Sequence, residues 1–161
     1  MPALRAALTD AGFAGVRTHL QSGNIVLDAK LDAPAVATRI EQLIADRFGG
    51  LSIPIVTRTR EELAGVIAAN PLVAYATDPK LHQVTFLSEP LSQARAQELH
   101  DLAAPSERLA VAGREIYAWH PEGIARSKLA NALAGKLGVV ATARNWTTVN
   151  AIMELADTNA T

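Results

Sequence analysis

An α+β fold made of two copies of one unit is predicted by three features of the sequence. Each half has the same order of elements: a helix, extended structure broken by a glycine, an amphipathic helix closed by a glycine, a short strand ending in arginine, and a further helix. The landmarks Gly23 and Gly113, Gly49 and Gly138, and Arg58 and Arg144 lie 90, 89 and 86 residues apart, in register to within four. The apolar spacing alternates between helical stripes and short β-rich runs in step with that order. Together these describe a duplicated β-α-β-β-α-β unit, so two tandem ferredoxin-like (α-β plait) lobes are expected.

Residues 2–11 carry Leu4, Ala7, Leu8 and Ala11 at helical spacing, and Gly12 stops the helix. Val16 to Asp28 is extended: Val16, Thr18 and Leu20 alternate, Ser22-Gly23-Asn24 interrupts, and Ile25-Val26-Leu27 resumes. Gly and Asn inside a strand pattern indicate a bulge or tight turn. A helix opens at Asp32 or Ala33, with Pro34 in its first turn and an apolar stripe of Val36, Ile40, Leu43, Ile44 and Phe48 before Gly49-Gly50. Ser52 to Thr57 is β-rich and is expected to be a strand. Thr59 and Glu62 have capping-box spacing, opening a helix to Ala69, and Asn70-Pro71 ends it.

Residues 71–80 are the expected linker, between a first lobe at 1–70 and a second at 81–161. His82 to Leu87 is a strand, and Ser92 opens a helix to about Leu102. Arg108 to His120 is extended and broken by Gly113. A helix is expected from Ile124 to Leu137, closed by Gly138, and a strand from Val139 to Ala143. Thr147 or Thr148 is the expected cap of a last helix over 149–156, with a frayed tail after Asp157. The second lobe starts with a strand, whereas the first starts directly with a helix at Pro2.

The run Val16-Arg17-Thr18-His19-Leu20-Gln21-Ser22-Gly23-Asn24-Ile25-Val26 resembles a signature of the DUF1697 family, a bacterial group of unknown function. Thr142-Ala143-Arg144-Asn145-Trp146-Thr147-Thr148-Val149 is similar to its second signature. Asn70-Pro71 and Ser127-Lys128-Leu129 also match in place. The resemblance implies two α-β plait lobes and brings no enzyme activity with it. Members of the family carry an extra strand and a Gly-rich turn ahead of the helix that begins here at Pro2, so it implies a first lobe without its leading strand. His19 stands where the family usually has Tyr.

Composition narrows the function classes. Hydrophobic residues make up 49% of the chain and aromatics 4%, so the core is built of Ala, Val, Leu and Ile. The net charge is −1, and basic and acidic residues number eight and eight in residues 1–80 and seven and eight in 81–161. No basic footprint for nucleic acid or an anionic membrane is present, so no nucleic-acid or membrane partner is expected. The chain has no cysteine, which excludes disulfides and thiolate chemistry. It shows no signal-peptide pattern and no apolar run of membrane length, so a cytoplasmic location is expected. His19, His82, His100 and His120 show no metal-ligand spacing, and there is no GxSxG, Walker or GxGxxG motif. No metal or cofactor is expected.

Two polar clusters are left as candidate ligand-binding residues. Arg144, Asn145, Trp146 and Thr147, with Thr148, sit at a strand–helix junction. An Arg fork and hydroxyls beside a helix N-terminus suit an anion. The same residues also read as a helix entry, with a Thr cap and a Trp core plug. Gln21, Ser22 and Asn24 can present hydrogen bonds on a bulged strand, or serve as ordinary turn chemistry. Arg58, Lys128 and Arg17 join by association, or are solvated charges. The expected function is a non-catalytic binding module for a small anionic ligand or a protein partner. The alternative is an enzyme acting on a phosphorylated or carboxylated metabolite, with Lys128 or His19 as base. An incomplete first sheet would expose an edge, where pairing into a homo-oligomer is expected.

Overall fold

The computed structural model describes residues 1–19, 21 and 23–159. The chain is a mixed α/β protein with two separate sheets and six helices among the described residues. It divides into two units, Met1–Ala64 with Asn150–Thr161, and Gly65–Val149.

In the first unit, α1 (Pro2–Asp10) buries Ala7 and Leu8, and Gly12 at φ 91° ends it. Strands β1 (Ala14–His19) and β2 (Asn24–Asp28) pair antiparallel, with Arg17 opposite Val26, Thr18 opposite Ile25 and His19 opposite Asn24. Gly23, at φ 80°, lies in the turn between them. Asp32 caps α2 (Ala33–Arg47) by accepting from the Ala35 N–H at 2.9 Å. Leu8, Phe13, Val36, Ile40 and Ile44 form the core, and Val16, Ile25 and Leu27 pack on it from one hairpin face. Strand alternation sends Arg17, His19 and Val26 to the other face. Phe48 falls just past the end of α2 and is exposed, so the stripe is one residue shorter than its spacing suggests.

The expected strand at Ser52–Thr57 does not form. Among the described residues no strand pairs with it. Its polar groups are met by α2 instead: the Ile55 N–H donates to Glu41 Oε1 at 2.8 Å, and the Thr57 hydroxyl donates to the Ala33 carbonyl at 3.2 Å. Thr59 and Glu62 form the reciprocal capping box of α3 (Arg60–Ala68), with bonds of 2.8 and 3.1 Å.

The second unit runs β3 (His82–Leu87), α4 (Gln93–Leu102), β4 (Arg108–Ala112), β5 (Glu115–Trp119), α5 (Lys128–Ala134) and β6 (Ala141–Asn145). The sheet order is β4-β5-β3-β6, with every neighbour antiparallel. Leu87, Ile116 and Ala118 face the core with Leu99, Leu129, Leu133 and Leu137. The opposite face, carrying His82, Val84, Phe86, Tyr117 and Trp119, is also buried, and the Tyr117 hydroxyl donates to the Val66 carbonyl at 2.8 Å.

Three boundaries differ from the sequence expectation. Helix α5 covers only Lys128–Ala134, because Ser127 caps it through the Ala130 N–H at 2.9 Å and a turn at Gly123 (φ 96°) precedes it. Strand β6 is shifted to Ala141–Asn145 by its pairing with β3, where Leu87 meets Ala141 and Gln83 meets Asn145. Helix α6 (Trp146–Asn159) starts at once after β6 and continues through the expected fray point at Asp157. Its last turn is tied within the first unit by Arg60 to Asp157 (2.9 and 2.5 Å) and by Arg17 to Thr158.

Candidate functional site

The β6–α6 junction lies in the second unit. Arg144 pairs with Val84 in the sheet, and its Nη1 donates to the Thr142 hydroxyl and, at 2.7 Å, to the Ala143 carbonyl. Burial pushes the guanidinium below its usual pKa range. Asn145 Oδ1 accepts from the Thr148 N–H at 2.9 Å. The cap of α6 is therefore Asn145 rather than Thr147, which is exposed, or Thr148, which is buried. Trp146 donates its backbone N–H to the Pro79 carbonyl at 3.1 Å. Its ring stacks on His82, with centroids 4.7 Å apart and planes 17° from parallel. His82 is held below the usual histidine pKa by burial first and by the charge of His120 second.

The remaining sequence candidates are spread between the units. Lys128 is exposed at the first position of α5. Arg58, in the first unit, donates from Nη1 to the Thr57 carbonyl at 2.8 Å. Gln21 is exposed in the β1–β2 turn, and Ser22 lies outside the described residues. Asn24 is buried and closes the hairpin, its Nδ2 donating to the His19 carbonyl at 3.0 Å. The structure thus brings Arg144, Asn145, Trp146 and Thr147 together in one unit, and sets Gln21 and Asn24 around one turn in the other.

Arg17 carries more than its sequence suggests. It lies on β1, on the hairpin face away from the helical core. Its Nη1 donates to the Thr158 hydroxyl of α6. Its Nε and Nη2 are buried and have no hydrogen-bond partner among the described residues. Those two nitrogens form the guanidinium edge that takes an oxyanion through two parallel bonds. A sequence signal existed, since alternation from the core residue Val16 turns Arg17 away from the core. That α6 would cover it could not be read.

A second buried polar cluster joins residues 107, 120 and 127. Glu107 Oε2 accepts from the Ser127 hydroxyl at 2.6 Å and pairs with His120 Nδ1, and Oε1 accepts from the Ala104 N–H at 3.0 Å. Burial raises the Glu107 pKa, but the bonds from Ser127, His120 and Ala104, with the His120 charge, outweigh it, and the net shift is downward. The Ser127 hydroxyl is directed at the carboxylate, so this is not a nucleophilic Ser-His-acid relay. Nothing in the spacing of these residues announces the cluster. Among the described residues there is no group of three or more His, Asp or Glu that could hold a metal, and no helix long and apolar enough to cross a membrane.

Two predictions follow from these contacts. Asn145→Ala should lower the unfolding free energy by about 1 kcal/mol, whereas Thr147→Ala should change it by less than about 0.5. Equal effects in urea denaturation would move the cap to another side chain. The folded pKa of Glu107 is depressed, so its contribution is full above the unfolded value near 4.5 and is lost as pH falls through the lower folded value. Glu107→Gln should therefore cost roughly 3 kcal/mol at neutral pH, and the gap to wild type should narrow in acid. A gap independent of pH would contradict the assignment.

The chain is similar to a solved structure, a conserved bacterial protein from Streptococcus pneumoniae, at 17% identity and a TM-score of 0.65, over 97% of this chain and 88% of that one. At that identity the likeness is one of fold alone. No curated protein matches the sequence. The profile of DUF1697, described as a protein of unknown function, matches residues 1–117, and the chain belongs to that family.

Proposed function

We propose that the protein is a non-catalytic binding module for a small anionic ligand, with Arg17 as its principal recognition group. The observation that carries this reading is the buried Nε/Nη2 edge of Arg17 without a partner among the described residues. Each unsatisfied buried donor costs about 1–3 kcal/mol, and more on a charged group. Water cannot relieve donors it does not reach, and the single bond to a neutral threonine does not neutralise the charge. A carboxylate or phosphate would satisfy both donors once the groups that cover that edge give way. His19 lies two residues along the same strand face, and Gln21 and Asn24 flank the adjoining turn, so these are the nearest orienting groups by position. Arg144, Asn145 and Trp146 are kept as a second candidate anion contact.

We read the fold more finely as well. The order β4-β5-β3-β6, all antiparallel, and the element order of the second unit support a ferredoxin-like arrangement. The matching hairpins at Gly23 and Gly113, both with positive φ, support an internal duplication in which the first copy is reduced.

Inorganic phosphate, sulfate and small carboxylates should raise the melting temperature of wild type, and Arg17→Met should abolish the rise. Occupancy at a hundred times Kd corresponds to about 2.7 kcal/mol. Without anion, Arg17→Met should be as stable as wild type or more so, because an unpaired buried cation is replaced by an apolar chain. An equal rise in both proteins would sink the Arg17 assignment, and its loss in Arg144→Ala instead would move the site to the β6–α6 junction.

A further inference from the structure

The first unit leaves a place beside its sheet unfilled. In the second unit β3 lies between β5 and β6 and is hydrogen-bonded to both. The elements that follow it, α4, β4, β5, α5 and β6, match α1, β1, β2, α2 and the segment 52–57 of the first unit in order. By that match, which rests on the internal duplication, the place of β3 falls between β2 and residues 52–57. Among the described residues nothing pairs there: the first sheet has two strands, and 52–57 is bonded to α2. Both borders line one core, since Ile25 and Leu27 of β2 and also Ile55 pack on the cluster of Leu8, Phe13, Val36, Ile40 and Ile44. Those three are only half-buried, whereas the core-facing Ile116 and Ala118 of β5 are fully buried. Leu31, just after β2, and Leu51 and Ile53, just before Ile55, are exposed apolar side chains. A hairpin alone is a marginal sheet, and an unpaired edge is a template for another strand. Strand β2 carries none of the usual guards: it has no proline and no lysine, and the irregular pairing lies on β1.

We propose that this place takes one extended segment of a partner protein, added antiparallel to β2. The second unit shows the chemistry that fits. Strand β3 has no aspartate, glutamate, lysine or arginine, and its Val84, Thr85, Phe86 and Leu87 are all buried. The partner segment is therefore an uncharged strand, as long as the five residues of β2 or the six of β3, and rich in branched and aromatic side chains. Backbone bonds to β2 give it affinity, and its alternate side chains enter the half-open core. A second copy of this chain fits less well. Its β2 would bring β1 with it, and the place is one strand wide, as β3 is between β5 and β6.

Amide exchange on 15N-labelled wild type, followed by NMR, tests this with a peptide copying residues 80–88 of the chain and with the same peptide carrying Val84→Pro. The expected result is that the β2 amides pointing away from β1 exchange more slowly, and saturably, with the first peptide. The proline peptide, which breaks the ladder, should leave them unchanged. No slowing with either peptide overturns strand capture and leaves the duplication standing. Slowing along β1 in place of β2 overturns both. Slowing that rises with protein concentration alone, and not with peptide, gives the edge to a second copy and overturns the proposal as well.

Discussion

Strand β3 is hydrogen-bonded along both edges, to β5 on one side and β6 on the other, and it is buried on both faces. Much of the second unit follows from that. Pairing with β3 sets the ends of β6 at Ala141 and Asn145, which leaves Asn145 at the strand's last position. From there its side chain reaches the Thr148 N–H and starts α6 without a connecting loop. Trp146 is thereby carried onto His82, the first residue of β3. The polar residues of this stretch are consumed by the work of turning a strand into a helix. Arg144 is drawn into the same economy, since its Nη1 is spent on Thr142 and Ala143 beside it.

The first unit solves the same problem with less sheet. Its hairpin has two strands, and the segment at 52–57 is held by side-chain and carbonyl groups of α2 in place of a ladder. One face of the hairpin is covered by an apolar core of ordinary kind. On the other face Arg17 is covered and only partly satisfied. A buried guanidinium with two unsatisfied donors lowers stability unless something binds it. The exposed pair of Arg60 and Asp157, which also ties down α6, contributes at most about 1 kcal/mol.

Much of the fold was legible because it rests on local chemistry. Asp32, Ser92 and the Thr59/Glu62 box cap the helices that their spacing announces. Gly23 and Gly113 sit in turns of positive φ, where a side chain would be strained. What failed depended on distant partners. Ser52–Thr57 has β-rich residues, but a strand needs a neighbour, and composition does not supply one. The α5 stripe of Leu129, Leu133 and Leu137 is real in the core, yet Leu137 packs from beyond the helix end. The site was less legible than the fold. The conspicuous residues, Arg144, Asn145 and Trp146, have structural partners. Arg17 and the set Glu107, His120 and Ser127 gain their character only when segments up to 141 residues apart meet.

The most direct measurement is the side-chain Nε–H resonance of Arg17 in protein labelled with 15N-arginine, recorded with and without inorganic phosphate. Anion binding at Arg17 predicts that this signal shifts saturably on adding phosphate, while the other arginine signals do not. A signal unmoved by phosphate would mean that no anion is recognised there.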